Sequence, residues 1–209
     1  MTKTLLIVFV KNIKLGKVKT RLAKTIGNQA AFEVYSELVK ITENVTEHID
    51  IDKRIYFSDA IVDSKWKNHY KTVQNGEDLG QRMQNAFNKG FEDGYDHIVL
   101  IGSDLPEINS EHIKNGLKAL VNSDVVFGPA EDGGYYLIGL SNMQDFIFTD
   151  KPWSQSNLLN VTLKQLKEKN LTYTLLETLN DIDTYEDLIA SNFYNSNTKL
   201  KQRIQQIND

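Results

Sequence analysis

The chain has 209 residues, of which 40% are hydrophobic and 25% are charged, and its formal net charge is −4. This length and composition are typical of one large globular domain whose core needs neither disulfides nor a structural metal. Because the chain contains no cysteine, disulfides, cysteine-ligated zinc and a cysteine nucleophile are excluded, and we expect a cytoplasmic location.

The charge is distributed unevenly along the chain. Residues 1–32 hold seven lysine and arginine residues and no acidic residue, so the remaining chain carries a net charge of −11. An acidic protein with one basic segment is not typical of a nucleic-acid binder, and we expect no nucleic-acid partner. The basic segment predicts a local anion site, although a solvated lysine-rich loop would explain the charge equally well.

Strands and helices are predicted to alternate from the amino terminus. Leu5–Val10 is an apolar run that is too short for a membrane span and typical of a parallel strand buried on both faces. Apolar residues at helical spacing predict a helix over residues 28–47, and Lys53–Ser58 and Lys71–Gln74 are predicted strands. A second helix is predicted over Leu79–Gly90.

The alternation continues in the second half of the chain. His97–Ile101 is a predicted strand, and a helix capped by Asn109 or Ser110 follows it. Asp183 is the predicted cap of a short helix that ends at Ser191. The remaining predicted elements are strands over residues 124–127, 135–140 and 171–176, a helix over 156–169, and a helix or tail over 196–209. This order predicts a single α/β domain over residues 1–195 with a mostly parallel, doubly wound sheet.

A basic cluster, Lys11–Ala23, follows the first predicted strand. In open α/β sheets, ligands bind beyond the carboxyl ends of the strands. Gly16 allows a tight turn, and Lys19 and Arg21 supply positive charge together with the neighbouring lysine. Several cations close together suit the binding of a di- or triphosphate. The cluster is not a Walker loop, because Lys11 stands where that pattern requires glycine, and it contains no dinucleotide fingerprint.

Two acidic clusters follow the later strands. Ser103 and Asp104 come directly after His97–Ile101, where a carboxylate next to a phosphate loop is well placed for Mg²⁺, although a turn aspartate before a proline is the alternative. Asp132 precedes two adjacent glycines, Gly133 and Gly134, which suggests a backbone that approaches another group closely. Asp132 is a candidate base, metal ligand or substrate contact, and a hairpin turn is also compatible with this sequence.

Two further segments carry candidate residues. Asp181 or Asp183 could close the metal site, although helix capping is the more direct interpretation of Asp183. Gly80 and Arg82 open the second predicted helix, where they could meet a base or a phosphate.

Five motifs in this order resemble a family of bacterial glycosyltransferases, the radical-SAM/selenodomain-associated transferases. These motifs are Val18–Ala23, Gly102–Pro106, Asp132–Leu140, Pro152–Ser154 and Asp181–Thr184. The family belongs to the nucleotide-diphospho-sugar transferase superfamily, so the resemblance implies a GT-A-like three-layer sandwich. The basic loop is also similar to those of 2-phospholactate guanylyltransferase and, more distantly, of molybdenum-cofactor guanylyltransferase. Ile13, Gln155 and Tyr185 depart from the usual residues of these patterns.

The resemblance implies a role for each candidate residue. Lys19 and Arg21 would bind donor phosphates, Asp104 and Asp183 would bind Mg²⁺ or Mn²⁺, and Asp132 would face the acceptor. The catalytic candidates are therefore Lys19, Asp104 and Asp132. The substrate-binding candidates are Lys11, Gly16, Lys19, Arg21, Gly80, Arg82, Ser103, Gly133 and Gly134.

Three functions remain open from the sequence. The leading hypothesis is transfer of a sugar from a nucleotide-sugar to a small-molecule acceptor, with Lys19, Arg21 and Mg²⁺ stabilising the leaving diphosphate. The second is nucleotidyl transfer from a nucleoside triphosphate to a phosphorylated small molecule, and the third is a non-catalytic nucleotide-binding module. The fold alone does not choose among them.

Overall fold

The computed structural model describes residues 2–208, which form seven strands, seven α-helices and one single-turn 3₁₀ helix. The strands are β1 (Thr4–Val10), β2 (Asp52–Phe57), β3 (Tyr70–Val73), β4 (His97–Ile101), β5 (Val125–Pro129), β6 (Tyr135–Leu140) and β7 (Tyr173–Leu175). The helices are α1 (Thr20–Glu47), α2 (Leu79–Glu92), α3 (Ser110–Ala119), α4 (Leu158–Glu168), α5 (Tyr185–Ala190), α6 (Asn192–Ser196) and α7 (Thr198–Asn208), with the 3₁₀ helix at Asp145–Ile147.

All seven strands form one sheet in the order β3-β2-β1-β4-β6-β5-β7. The pairs among β1, β2, β3 and β4 are parallel, as is the pair of β5 with β7. Strand β6 is antiparallel to both of its neighbours, β4 and β5. The prediction of a single-domain α/β fold with a mostly parallel sheet is therefore confirmed, and the hairpin interpretation of the segment between β5 and β6 holds as well.

Alternation of side chains along β1 divides the core into two layers. Leu6 and Val8 pack on one face of the sheet with α1, α3 and the carboxyl-terminal helices. Leu5 and Ile7 pack on the opposite face with α2 and α4. Because successive strand residues point to opposite faces, a strand covered by helices on both sides must be apolar throughout, as β1 is.

Helix α1 begins eight residues earlier than the sequence predicts. It starts at Thr20, and Gly27, with φ 81° and ψ 160°, interrupts it between a short amino-terminal segment and the predicted body. Glycine adopts such a conformation at little cost because it has no Cβ. The break lets the segment that carries Arg21 turn toward the carboxyl edge of the sheet while the body of α1 stays packed on it.

The carboxyl-terminal part of the chain differs from the prediction in one cap. Thr184, and not Asp183, caps α5. Its hydroxyl accepts a hydrogen bond from Asp187 N, and the Asp187 carboxylate accepts one from Thr184 N. Helix α7 then packs on α1, and Arg203 forms ion pairs with two glutamates of that helix. The predicted boundary after residue 195 stays a prediction. Of the helices within residues 2–208, none has the length and apolar character to cross a membrane.

Candidate active site

A cavity of about 460 Å³ opens at the carboxyl edge of the sheet and has two chemically different halves. The polar half is lined by Arg21, Asp104, Asp132, Gly134, Asp181 and Asp183. The apolar half is lined mainly by Phe9, Met83, Leu100, Ile138, Trp153 and Leu158. Carboxyl ends of neighbouring strands converge here, so residues from distant parts of the chain meet at one edge.

Lys19 is positioned directly behind the polar half by an unusual backbone conformation. It precedes α1 with φ 45° and ψ 50°, a left-handed conformation that costs free energy for a residue with a side chain. Its Nζ atom lies 3.0 Å from Asp104 Oδ2, and its side chain is only 6% exposed. Burial disfavours the charged lysine, but the attraction of Asp104, reinforced by Asp181 and Asp183, outweighs burial and raises the pKa of Lys19.

A second cation–carboxylate pair lies at the rim of the cavity. Arg21 Nη1 donates a hydrogen bond to Asp183 Oδ2 at 2.9 Å, and both side chains are partly open to solvent. Asp183 is available for this pair because Thr184 caps the following helix. The exposed pair is readily exchanged for other partners, since surface ion pairs contribute little stability.

Asp181 adds a further negative charge to the same edge. Burial raises its pKa to about 6, and the repulsion of Asp104 and Asp132 adds to the effect while Lys19 opposes it. Carboxylates that repel one another are stabilised when a cation binds between them. The sequence had left open whether Asp181 or Asp183 belongs to the site, and both line the cavity.

The loop between β5 and β6 is held in a turn that fixes Asp132. Asp132 Oδ1 accepts a hydrogen bond from Gly134 N at 2.8 Å. Gly133 has φ 88°, and a Cβ atom there would collide with the carbonyl oxygen of Ser156. The close backbone approach expected from the paired glycines is therefore a contact with residues 152–157, which we call the strap.

The other end of the strap is anchored on α2. The Trp153 ring lies against Gly80, where an added Cβ would be 2.6 Å from Trp153 Cζ2 and would also collide with the carbonyl oxygen of Phe148. Gly80 thus lies behind the wall of the cavity and allows the strap to approach α2. Arg82, the other candidate in this helix, donates from Nε to the carbonyl oxygen of Gly76 at 3.0 Å.

A buried hydrogen-bond network supports the first loop and Ser103. The Tyr35 hydroxyl accepts from Lys11 N at 3.1 Å and lies 2.9 Å from Ser103 Oγ, and burial raises the pKa of this tyrosine. Asn12 holds the same loop to the end of β2 by accepting from Asp59 N and donating to the Ala60 carbonyl. Tyr35 and Asn12 therefore position the loop.

The structure brings five predicted residues to the cavity wall and leaves the others behind or beside it. Arg21, Asp104, Asp132, Gly134 and Asp183 line the cavity, and Lys19 reaches it through Asp104. The predicted residues outside the wall are Lys11, Gly16, Gly80, Arg82, Ser103 and Gly133.

Sequence reasoning missed the positioning residues Asn12 and Tyr35 and gave Trp153 no role in the wall. The Pro152–Ser154 motif was the one signal for Trp153, whereas Tyr35 lies in a helix that was predicted from its apolar residues alone.

The carboxylates at this edge are suited to hold a metal together with oxygen atoms from a ligand. Within residues 2–208, no group of three or more histidine and acidic side chains is arranged to hold a metal by itself. Asp104 with Asp181 or Asp183 offers two carboxylates, and Mg²⁺ is commonly held by one or two carboxylates together with substrate phosphates. The donor set therefore fits a metal that arrives with a phosphorylated ligand.

An α/β sheet with cations and carboxylates facing each other at its carboxyl edge belongs to the class of proteins that bind phosphorylated ligands there. Within that class, the chain belongs to the bacterial family described as "uncharacterized protein conserved in bacteria (DUF2064)", which matches residues 42–155. The matched segment contains Asp104 and Asp132 but not Lys19, Arg21 or Asp183.

Known proteins share this fold over nearly the whole chain. A "putative nucleotide-diphospho-sugar transferase" from Desulfovibrio desulfuricans G20 is 30% identical, with a TM-score of 0.86 over 99% of this chain and 98% of that one. The 2-phospho-L-lactate guanylyltransferase of Methanocaldococcus jannaschii is 25% identical over 92% of this chain and 85% of its own length. The Mycobacterium tuberculosis protein Rv0371c, in complex with manganese, is 12% identical with a TM-score of 0.53 over 90% of this chain and 97% of that one, and shows the fold alone.

These similarities confirm the predicted nucleotide-diphospho-sugar transferase fold and the relationship to 2-phospho-L-lactate guanylyltransferases. The association with radical-SAM proteins stays a prediction.

Proposed function

We propose that the protein is a Mg²⁺-dependent nucleotidyltransferase that moves a nucleoside monophosphate from a nucleoside triphosphate to a phosphorylated small molecule. An acceptor phosphate oxygen attacks the α-phosphorus, the bond from that phosphorus to the bridging oxygen breaks, and pyrophosphate leaves. Bound Mg²⁺ would supply further charge neutralisation for the phosphates.

The ion pairs Lys19–Asp104 and Arg21–Asp183 carry this proposal. Each pair places one cation and one carboxylate at the same edge of the sheet, 3.0 Å and 2.9 Å apart. Phosphates of a donor would take the cations. The carboxylates so released, Asp104 after β4 and Asp183 before α5, would hold the metal, and Asp181 would be a further candidate ligand. Lys19 and Arg21 would then stabilise the negative charge that develops on pyrophosphate.

The chemistry of the polar half favours a phosphate nucleophile over a hydroxyl. A phosphate acceptor is already an anion and requires no base, whereas a sugar acceptor requires a group that removes a proton. Asp132, one of whose candidate roles is that of a base, uses Oδ1 to hold the turn through Gly134 N. This hydrogen bond suits a positioning role in the loop.

The similarity to known proteins supports the same choice. The relative from Methanocaldococcus jannaschii, whose name specifies guanylyl transfer to 2-phospho-L-lactate, shares 85% of its length with this chain. A nucleotide donor and a phosphorylated small molecule would therefore be the two ligands of the cavity. The remaining predicted contacts, from Lys11, Gly16, Gly80, Arg82, Ser103, Gly133 and Gly134, would act on the same ligands directly or through the loops that they hold.

Sugar transfer, the leading hypothesis from the sequence, is the second candidate. The observation that favours it is the name of the structural neighbour that is 30% identical over 99% of this chain. In that reaction the same cations would stabilise a leaving nucleoside diphosphate, and Asp132 would take the proton of the acceptor hydroxyl.

Product analysis separates the two reactions. The protein is incubated with Mg²⁺, four nucleoside triphosphates or a set of nucleotide-sugars, and phosphorylated acceptors that include 2-phospho-L-lactate. We expect one of the triphosphates to yield pyrophosphate and an acceptor that carries the nucleoside monophosphate. Release of a nucleoside diphosphate from a nucleotide-sugar, with no pyrophosphate from any triphosphate, would contradict nucleotidyl transfer.

A matched pair of variants assigns that activity to the cavity. Asp104→Asn should abolish pyrophosphate release and retain the circular dichroism spectrum of the parent. Asp63→Asn, at an exposed position between β2 and β3, should keep full activity.

A further inference from the structure

The apolar half of the cavity is built mainly from one core layer, whereas the segment that carries the cations is anchored in the other. Phe9, Met83 and Leu100 belong to the core layer of α2 and α4, and Trp153 packs on that layer. The first turn of α1, which follows Lys19, is anchored by Leu22 in the other layer. A ligand that fills the cavity therefore extends from a charged edge into an apolar compartment.

The in-line geometry of phosphoryl transfer decides which ligand enters this compartment. Nucleophile and leaving group lie on opposite sides of the reacting phosphorus. If pyrophosphate leaves toward Lys19 and Arg21, the acceptor approaches from the side of Leu100, Ile138 and Trp153. We propose that the apolar half binds the body of the acceptor, and that this acceptor is a small phosphorylated molecule carrying a compact apolar or aromatic group. The inference rests on the proposed nucleotidyl transfer.

The apolar half of the cavity has a preformed wall, and two contacts of the strap hold this wall in place. Trp153 is seated against Gly80, and the backbone of Ser156 is seated against Gly133. Lys151, just before the strap, donates its Nζ to the carbonyl oxygen of Phe146 and to Gln165 Oε1, and only 9% of this residue is exposed. Preformed apolar walls with few polar groups are typical of small-molecule sites.

Tyr135 adds an aromatic ring to the lining of this compartment. Its ring lines the cavity beside Phe127, with the two ring centroids 5.0 Å apart. Within the described residues, Tyr135 Oη is the single buried side-chain polar atom that lacks a hydrogen-bond partner. This hydroxyl is buried away from the open space of the cavity, so the ring, and not Oη, is the part of Tyr135 that a ligand can contact.

The test compares two phosphate monoesters that differ in their apolar body. Phenyl phosphate and methyl phosphate are titrated into the protein with saturating Mg²⁺ and pyrophosphate, which occupy the donor phosphate position. We expect phenyl phosphate to bind at least tenfold more tightly and to quench the fluorescence of Trp153, and Trp153→Phe should remove the quenching. Met83→Gln should reduce the preference to less than threefold, whereas Met143→Gln, outside the cavity, should leave it unchanged.

Each alternative outcome has a distinct meaning. Equal binding of the two esters would overturn the inference while leaving nucleotidyl transfer intact, because pyrophosphate release is measured separately. Quenching of Trp153 by guanosine or cytidine without phosphates, in competition with phenyl phosphate, would show that the compartment binds the base and would also overturn it. Failure of pyrophosphate itself to bind with Mg²⁺ would instead contradict the proposed function.

Discussion

Lys19 Nζ lies 3.0 Å from Asp104 Oδ2, so the cation expected to bind phosphate and the carboxylate expected to bind metal neutralise each other in the free protein. Breaking this pair for one ligand alone leaves a buried or half-buried charge without a partner, which is unfavourable. When phosphate and metal arrive together, both charges obtain new partners. The geometry therefore predicts that the two ligands bind cooperatively.

Metal binding to the Lys19→Met variant tests this cooperativity. We expect the variant to bind Mn²⁺ alone at least threefold more tightly than the parent, because Asp104 is no longer neutralised. The same variant should bind the Mn²⁺–pyrophosphate complex at least tenfold more weakly, because a phosphate donor is lost. Electron paramagnetic resonance of free Mn²⁺ measures both affinities. Lys17→Met, at an exposed position of the same loop, is the control. Equal changes in both affinities of Lys19→Met would contradict the proposal that phosphate and metal together replace the Lys19–Asp104 pair.

Arg21→Gln is expected to affect binding and not folding. The pair of Arg21 with Asp183 is exposed, so its loss should change the free energy of unfolding by no more than about 0.5 kcal/mol. Loss of a charged hydrogen bond to phosphate should weaken pyrophosphate binding about tenfold or more. Calorimetric titration and urea unfolding measure the two quantities. Lys14→Gln removes a similarly exposed pair, with Asp59, and should change neither.

Two tyrosine-to-phenylalanine variants should shift stability in opposite directions. Tyr135→Phe removes a buried hydroxyl without a partner and should raise the free energy of unfolding by about 1 kcal/mol. Tyr35→Phe removes the hydroxyl that joins Lys11 N to Ser103 Oγ and should lower it by about 1–2 kcal/mol. Denaturant unfolding at neutral pH measures both, and a loss of stability in Tyr135→Phe would show that its hydroxyl is satisfied.

Two glycines that lie in helices, Gly80 and Gly116, give a matched pair of variants that tests how the strap is anchored on α2. Gly80→Ala places a methyl group 2.6 Å from the Trp153 ring and should destabilise the protein by about 1–3 kcal/mol while changing Trp153 fluorescence. Gly116→Ala in α3 meets Leu137 and Val99 at an ordinary 3.4 Å and should be neutral or slightly stabilising. Thermal unfolding of both variants checks the difference, and similar losses in the two would indicate a general intolerance of added volume.

The edge strand β7 is expected to weaken in acid. Asp124 Oδ2 accepts hydrogen bonds from Thr172 N at 2.8 Å and Thr172 Oγ1 at 2.6 Å, and the hydroxyl and backbone donors lower the pKa of Asp124. Because the folded-state pKa is lowered, this stabilisation is present above the unfolded pKa of about 3.9 and is lost as the pH falls through the folded value.

Comparison with Asp124→Asn isolates this acid-sensitive contribution. The difference in unfolding free energy between parent and variant should shrink between pH 6 and pH 3. Asp63→Asn, in the connection between β2 and β3, controls for net charge, and a difference that is constant with pH would contradict the assignment.

Strands that are buried throughout were predictable from the sequence. His97–Ile101 and Tyr135–Leu140 have the same bounds in prediction and structure, because each is an apolar run bounded by residues that end a strand. The start of α1 was not predictable in this way. Its first segment is basic, and Gly27 interrupts the hydrophobic periodicity that identified the body of the helix.

Candidate residues of the site were predictable where they follow a strand, as Asp104 and Asp132 do. Their partners were not, because those partners depend on tertiary contacts. Nothing in the local pattern distinguishes Tyr35 from the core residues of α1, although its hydroxyl reaches Ser103. The same holds for Asp183, whose local sequence predicts a cap, whereas Arg21 and Thr184 together give it a different role.

The hydrogen bond from Arg21 to Asp183 joins residues 162 positions apart, and the one from Lys19 to Asp104 joins residues 85 apart. Contacts this distant close large loops and form late, since the entropy of the intervening chain is lost before they contribute. During synthesis, the basic loop leaves the ribosome long before the acidic residues that complete the cavity exist. Under the proposed function, nucleotides would therefore stabilise this protein only after Asp181 and Asp183, which precede α5, have reached the cavity.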